Sequence, residues 1–356
     1  MTSYFVVFLL FLLQFVYLPF GTSHFEIPKV YTAEFAIFLL FLFNQESIPY
    51  HRFKTVPLVC SVVLLALTIF DLFFLRTNIS FFGNTFRLQG IFLLWMLLLF
   101  SVTSALLPPL KISRWFFLII LCVQCFFTFI IDGEGTRAIG TIGEPNALAA
   151  AIVFLWPFIF FYNQNKLYKI SSILLAVLVI LLAQSRSGII SLSIQLLFFF
   201  LSDTLHMSLK KTTIICLLLT LLSLTLPFFD QKGFYENRTQ VWQSAFMAGV
   251  THPILGNGFG NIQYALHASE QQFHNDLGLS LIDSSHNIFL DWFVQGGIVG
   301  LVIFFCFLYQ AFAVFIQKKE TLYLVSLLGI LISLSFNPAS IVTLVALFWL
   351  LGKGMI

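Results

Sequence analysis

The sequence predicts an all-α polytopic membrane protein of about twelve transmembrane helices with one large extracytoplasmic loop. Three observations carry that reading: composition, the spacing of long apolar runs, and the distribution of basic residues. Of 356 residues, 59% belong to the AVILMFWYC set, 46 are Phe, and 9% are charged, where soluble domains carry roughly 25% charged residues. Eighteen Lys and Arg and fifteen Asp and Glu cannot clothe a water-facing surface on a chain of this length, so its solvent is mostly lipid. The net charge of +3 is dispersed without a basic block, which argues against nucleic acid as a partner. All five cysteines lie in apolar runs and read as small buried hydrophobes; Cys122 and Cys125 form a CxxC at lipid depth, a poor redox or zinc site.

A membrane helix needs about 20 mostly apolar residues, or about 17 at the short end. There are twelve candidates, with cores at 2–20, 30–43, 56–75, 88–107, 112–131, 146–162, 168–184, 188–202, 212–229, 287–312, 321–336 and 339–352. The first lacks the basic leader of a secretory signal and is too long for its apolar segment, so it reads as a retained helix. The second (containing Glu34), the eighth and the twelfth are short and borrow polar flanks to cross. The expected organisation is nine transmembrane helices in 1–229, an extracytoplasmic loop at 230–286 and three more helices in 287–356. No internal repeat is visible, which weighs against a transporter built from two related halves.

Lys and Arg near helix ends are held in the cytoplasm during insertion. With both termini cytoplasmic, eleven basic residues fall inside and seven outside, the outer set being Lys29, Arg76, Arg87, Arg137, Arg186, Lys232 and Arg238. Nine of the inner eleven are Lys, whereas five of the outer seven are Arg. A guanidinium grips phosphate oxygens two at a time and keeps its charge, so the outer arginines suit anion binding as well as headgroup contact.

The outer side holds the chemistry-bearing residues. Gln184-Ser185-Arg186-Ser187-Gly188 joins the seventh and eighth spans in a tight turn relaxed by Gly188, which leaves Arg186 at the membrane boundary as a phosphate ligand or a snorkelling side chain. The loop 230–286 carries four of the seven histidines, His252, His267, His274 and His286, and aromatic residues Trp242, Phe246, Tyr264 and Phe273, so it is expected to fold against the membrane surface. Within it, residues 238–250 read as an amphipathic helix capped by Asn237, with Trp242, Ala245, Phe246 and Gly249 on one stripe at the bilayer interface and Arg238 near phosphate level. Gly256, Gly258 and Gly260 follow at alternate positions and are expected either to present amides to an anion or to form a flexible loop. His286 heads the tenth span, with Asp283 and Asp291 close enough in sequence to tune an imidazole that takes a proton near neutrality. No HxH or HxxxH spacing accompanies the loop histidines, so no metal site is expected. Gly143-Glu144-Pro145-Asn146 opens the sixth span on the same side.

In this order the motifs resemble the bacterial O-antigen ligase family, which is grouped with O-antigen polymerases and protein O-oligosaccharyltransferases. The matching residues are Gly143, Pro145 and Asn146; Ser185, Arg186 and Gly188; Arg238 and Trp242; Pro253, Gly256 and Gly258; His286 and Asn287; Gly296, Gly297 and Gly300; and Phe348 with Trp349. They span about 143–352, while the first 140 residues match only as generic apolar spans. The resemblance implies a GT-C-like membrane glycosyltransferase of the bacterial inner membrane. It would need no metal or other cofactor. It would move a glycan, with inversion, from an undecaprenyl-diphosphate-linked donor to an acceptor hydroxyl on the extracytoplasmic face, lipid A core or similar. Family roles make Arg186 and Arg238 the diphosphate clamp and His286 the group that activates the acceptor, with Ser185, Trp242, Asn287, Asn146, Gly256 and Gly258 supporting the site. Two fixed guanidiniums can stabilise a departing diphosphate. Polymerase and protein transferase share this donor chemistry and stay open. A transporter or lipid flippase is the more distant alternative; it calls for ionisable residues at mid-depth, whereas Glu34 and Asp71 read as near helix ends.

Overall fold

A computed structural model of the chain describes residues 2–18, 23–44, 53–74, 78–107, 113–131, 137–162, 165–229, 238–273 and 282–356. Among them no β-strand forms, and every predicted apolar run coincides with helix. In chain order these are α1 (Thr2–Val7, running on as a π turn Phe8–Leu12 and a 3-10 turn Leu13–Phe15), α2 (Glu26–Leu42), α3 (Thr55–Phe74), the short α4 (Asn78–Phe82), α5 (Ile91–Leu106), α6 (Arg114–Ile130) and α7 (Pro145–Tyr162). There follow α8 (Lys166–Leu182), α9 (Arg186–Phe199, extended by a π turn Phe200–Thr204), α10 (Leu209–Ser223), α11 (Arg238–Thr251), α12 (Ile262–Phe273), α13 (Ile288–Lys318), α14 (Thr321–Leu334) and α15 (Ile341–Lys353). Five of the described helical segments are long and apolar enough to cross a membrane by length and composition, those at 55–74, 145–162, 186–204, 209–228 and 288–318; other apolar helices are shorter.

Burial sorts these helices into layers. Every residue of α7 from Ala147 to Ile159 is buried, as is every residue of α14 from Leu324 to Leu334. Helices apolar on all sides belong at the centre of a bundle, and α7 and α14 pack on each other there, with α6, α8, α9 and α15 around them. By contrast α3 and α10 turn Val59, Val62, Phe73, Leu218, Leu221 and Leu222 outward. An outer surface of that composition is compatible with hydrocarbon and not with water.

One polar device locks the centre. Pro157 has no N–H, so the carbonyl of Val153 four residues earlier loses its helical donor. Gln195 of α9 supplies one: its Nε2 donates to Val153 O at 2.9 Å and to Val325 O of α14 at 2.9 Å, while its Oε1 accepts from Trp156 Nε1 at 2.7 Å. Gly329 makes room, since a Cβ there would strike the Gln195 amide. Gln195→Leu strands two buried polar groups, Val153 O and Trp156 Nε1, and is expected to destabilise the protein by roughly 2–4 kcal/mol. Thermal unfolding in detergent checks this, and an unchanged midpoint would contradict the assignment.

A second device shapes the outer loop. Helix α13 is broken at Gly297 (φ 59°, ψ −157°), where a Cβ would collide with the carbonyl of Ile254. The segment after α11 fills the break. Asn257 N donates to Val294 O at 2.8 Å and Gly258 N to Gln295 O at 2.9 Å, while Ile298 N and Val299 N return to Pro253 O and Ile254 O at 2.8 and 3.2 Å. Phe259 N reaches Asp71 of α3, and Gly260 N reaches the Gln295 side chain. The amides of Gly256, Gly258 and Gly260 are therefore engaged within the protein, Gly256 N with His252 O. The sequence expectation of an anion-presenting turn gives way to a backbone interlock, because a broken helix offers carbonyls that only a closely approaching, positive-φ chain can meet.

Other expectations are corrected too. Asp71 does stand near the end of α3, but Glu34 lies in the middle of α2. Lys29 is buried, its Nζ donating to Phe25 O and Thr141 O. Gly188 serves close packing more than the turn: a Cβ there would come within 2.7 Å of Ala149 Cβ on α7, while the left-handed residue of that turn is Gln184 (φ 48°). Asn237 and His274 lie outside the described residues.

Candidate functional site

The polar turns at one end of the bundle meet, and a single line of hydrogen bonds, buried from Arg238 to Ser185 and part-buried at Asn146, joins four of them. At one end of the line Arg137 Nη2 donates to Asn146 Oδ1 (3.2 Å) at the start of α7. Ser185 Oγ, the N-cap of α9, donates to the same oxygen (3.0 Å) and lies 3.1 Å from Ser187 Oγ. Asn337, in the turn between α14 and α15, donates to Ser187 Oγ through Nδ2 and accepts from Arg238 Nη2 at 3.4 Å through Oδ1. Each donor after Arg238 points along the line toward Asn146, which fixes the orientation of every amide and hydroxyl in it.

Arg238 is buried at the head of α11. That helix forms where the sequence places it, but its surroundings differ from the expected bilayer surface. Trp242, Ala245 and Gly249 are buried against α13 and the α14–α15 turn, with the Trp242 ring 6.3 Å from Phe336, while Phe246 is exposed. Small residues Ala245, Ala248 and Gly249 let α11 lie close on α13, so a tryptophan expected at the interface becomes part of the core. Its Nε1 is buried with no hydrogen-bond partner among the described residues. Arg186 begins α9 with its side chain exposed, bracketed in sequence by Ser185 and Ser187 of the hydrogen-bonded line.

His286 sits in a turn built to hold it. Its φ of 58° is left-handed, unusual for a residue with a Cβ although histidine is among those that tolerate it. The turn is fixed by Asp291, whose carboxylate accepts from Ser284 Oγ (2.8 Å), Ser285 N (2.8 Å) and Ser285 Oγ, and by His286 N donating to Ser284 Oγ (3.1 Å). Asn287 is the N-cap of α13, its Oδ1 accepting from Phe289 N and Leu290 N at 3.0 and 3.3 Å. Of the two carboxylates flagged in sequence, Asp291 braces the turn. Burial, then the Arg238 cation, push the His286 pKa down to about 4; Asp283 pulls upward and Arg87 adds to the depression.

Arg87, in the loop before α5, has a larger part than its sequence position suggests. It pairs with Asp283 through Nε, lies 4.0 Å from Glu144, and donates to Ala339 O at 3.3 Å. Burial alone would weaken this cation, but Asp283, Glu144 and Glu26 outweigh it and hold the guanidinium above its ordinary pKa. Burial pushes the Glu144 carboxyl up, against the opposing pull of Arg87. Beside Arg87 opens a cavity of about 100 Å³ between α5, α13 and α15, with Arg87, Gln89, Asp283 and Ser284 along its rim and Leu93, Leu97, Ile288, Trp292, Leu344 and Phe348 forming its apolar wall. No group of three or more His, Cys, Asp or Glu arranged to hold a metal ion occurs among the described residues.

Sequence reasoning missed Asn337 and Ser187, and counted Arg87 only toward topology. Asn337 was detectable as the polar half of the two-residue gap, Asn337-Pro338, between the last two predicted spans.

The class these features define is a polytopic helical membrane protein with an arginine- and histidine-bearing polar centre at one end of an apolar bundle. Within it, residues 146–305 match the family model described as O-antigen ligase. That segment contains Asn146, Ser185, Arg186, Arg238 and His286, so the resemblance drawn from the motifs holds where the polar centre is built. A search of curated proteins found no match to the chain.

Proposed function

We propose that the protein is a membrane glycosyltransferase of the O-antigen ligase type, taking a glycan from an undecaprenyl-diphosphate donor to an acceptor hydroxyl on the extracytoplasmic face, with inversion and without a metal. The observation that supports this most is the buried line that ends on Arg238 and brackets Arg186, with His286 within electrostatic range of Arg238. In this reading the acceptor oxygen attacks the anomeric carbon, its proton passes to His286, and the bond to the diphosphate breaks with its electron pair going to the leaving oxygen. Arg238 and Arg186 stabilise the charge that accumulates there. The buried Trp242 N–H, one turn from Arg238, is a donor that a bound anion would satisfy.

The test is reconstitution of purified protein with a lipid-diphosphate glycan and separate arms holding lipid A core, a second lipid-linked glycan, or a serine-bearing protein. A new glycan–acceptor product is expected, and the productive arm assigns ligase, polymerase or protein transferase. Absence of product in every arm would overturn the reading. Arg186→Lys is expected to lose most turnover, roughly tenfold, because a point charge replaces the fork; full activity there would remove Arg186 from the clamp.

A further inference from the structure

Arg87 lies outside residues 146–305, yet it touches three segments that carry the polar centre. Its Nε pairs with Asp283, three residues before His286. Its Nη1 faces Glu144, two residues before Asn146, and donates to Ala339 O, two residues after Asn337, where Gln89 Nε2 joins it at 2.6 Å. The loop is shaped for this: Asn84 Oδ1 accepts from Arg87 N at 2.7 Å, and the left-handed Gly83 and Leu88 (φ 87° and 52°) turn the chain on either side. Only 12% of the Arg87 side chain is exposed, and its carboxylate neighbours take up its charge, so it is poorly placed to be another phosphate ligand. A buried pair of this kind adds little net stability over apolar packing, and its use is to fix geometry.

We infer that Arg87 is a positioning residue for His286: its cation offsets the pull of Asp283 on a protonated imidazole, and by pairing with Asp283 it locks the His286 turn in register with the segments holding Asn146 and Asn337. This rests on the reading in which His286 is the base. The charged groups facing His286 are Arg238 from α11, Asp283 from its own turn and Arg87 from the loop before α5; Asp291 is engaged by Ser284 and Ser285, and Glu144 and Glu26 face Arg87. Removing Arg87 deletes a cation that disfavours imidazolium and frees a carboxylate that favours it, so both effects raise the proton affinity of His286. Removing the Asp283 charge acts the other way.

The experiment is a pair of measurements on Arg87→Ala, Asp283→Asn and Arg87→Lys in the full-length protein. The first is the pH profile of kcat/KM. The acid limb of Arg87→Ala is expected to move up, that of Asp283→Asn to move down, and that of Arg87→Lys to stay with wild type while kcat falls severalfold. The second is a histidine NMR titration, with the His286 signal assigned by its loss in His286→Ala. It reads the same shifts without catalysis. Should Arg87→Ala not fold, Asp283→Asn and Arg87→Lys carry the test. Coincident His286 titrations in wild type and in the folded variants that change the charge would overturn the inference. A wild type inactive in every acceptor arm would instead overturn the functional reading, and the titration would still decide the role of Arg87.

Discussion

Replacing His286 with alanine is expected to cut glycan transfer by about 10²–10⁴-fold, the range spanned by positioned general bases, with donor binding and thermal stability close to wild type. The backbone of the turn is held by Asp291, Ser284 and Ser285, none of which needs the imidazole, and Asn287 caps α13 independently. Product yield with a saturating acceptor, alongside an unfolding midpoint, separates loss of chemistry from loss of fold. The pH dependence follows from the environment. With its pKa depressed to about 4 by burial and Arg238, His286 is neutral at pH 7 and able to accept a proton, but it is a weak base. The acid limb of kcat/KM, which reports the free enzyme, is therefore expected near pH 4. A donor diphosphate beside Arg238 brings negative charge that favours imidazolium, so the limb of kcat, which reports the complex, should lie higher. The base would strengthen only once the leaving group is in place. Limbs that coincide, or turnover that survives His286→Ala, would remove the general-base assignment.

The bundle was legible because lipid imposes a simple rule: about 20 apolar residues make a helix, and the runs in this chain are long and well separated. Each predicted run met a helix, and α11 covers the segment 238–250 expected to be helical. What periodicity does not carry is which neighbour a face meets. Trp242 sits on a stripe that suits either a bilayer surface or another helix, and only the small residues Ala245, Ala248 and Gly249 hinted at the second. Gly256 and Gly258 were flagged as a backbone turn or flexible loop, and both take positive φ, but their partner is a break in α13 some forty residues away, a tertiary fact. Arg87 and Asn337 were hidden for a related reason. Each is a single polar residue in a short connection, and its meaning comes from partners 99 to 252 residues distant: Asp283 and Ala339 for Arg87, Arg238 and Ser187 for Asn337. Residues that contact their site through neighbouring turns leave no spacing pattern, whereas Ser185, Arg186 and His286 stood at helix starts that the hydropathy boundaries already marked.

Arg238→Ala is expected to lower transfer by roughly 10²–10³-fold, as removal of one fixed donor to a developing anion does, and Arg238→Lys should recover only a small part of it. Arg238 is buried, and one nitrogen of its fork is committed to Asn337, itself tied through Ser187 and Ser185 to Asn146. In the proposed reaction the fork is therefore aimed before substrate arrives, and no reorganisation would be needed as charge built on a leaving diphosphate. An ammonium at the end of a flexible stem keeps the charge and loses the aim. The loss should fall mainly on kcat, since the interaction strengthens as the bond to the diphosphate breaks. Asn337→Ala provides the control: it leaves the guanidinium and removes its tether, so a smaller loss of the same kind is expected. If Asn337→Ala instead matches wild type while Arg238→Ala is inactive, the charge alone matters and the hydrogen-bonded line is structural. If both match wild type in kcat and KM, Arg238 is no part of the donor site.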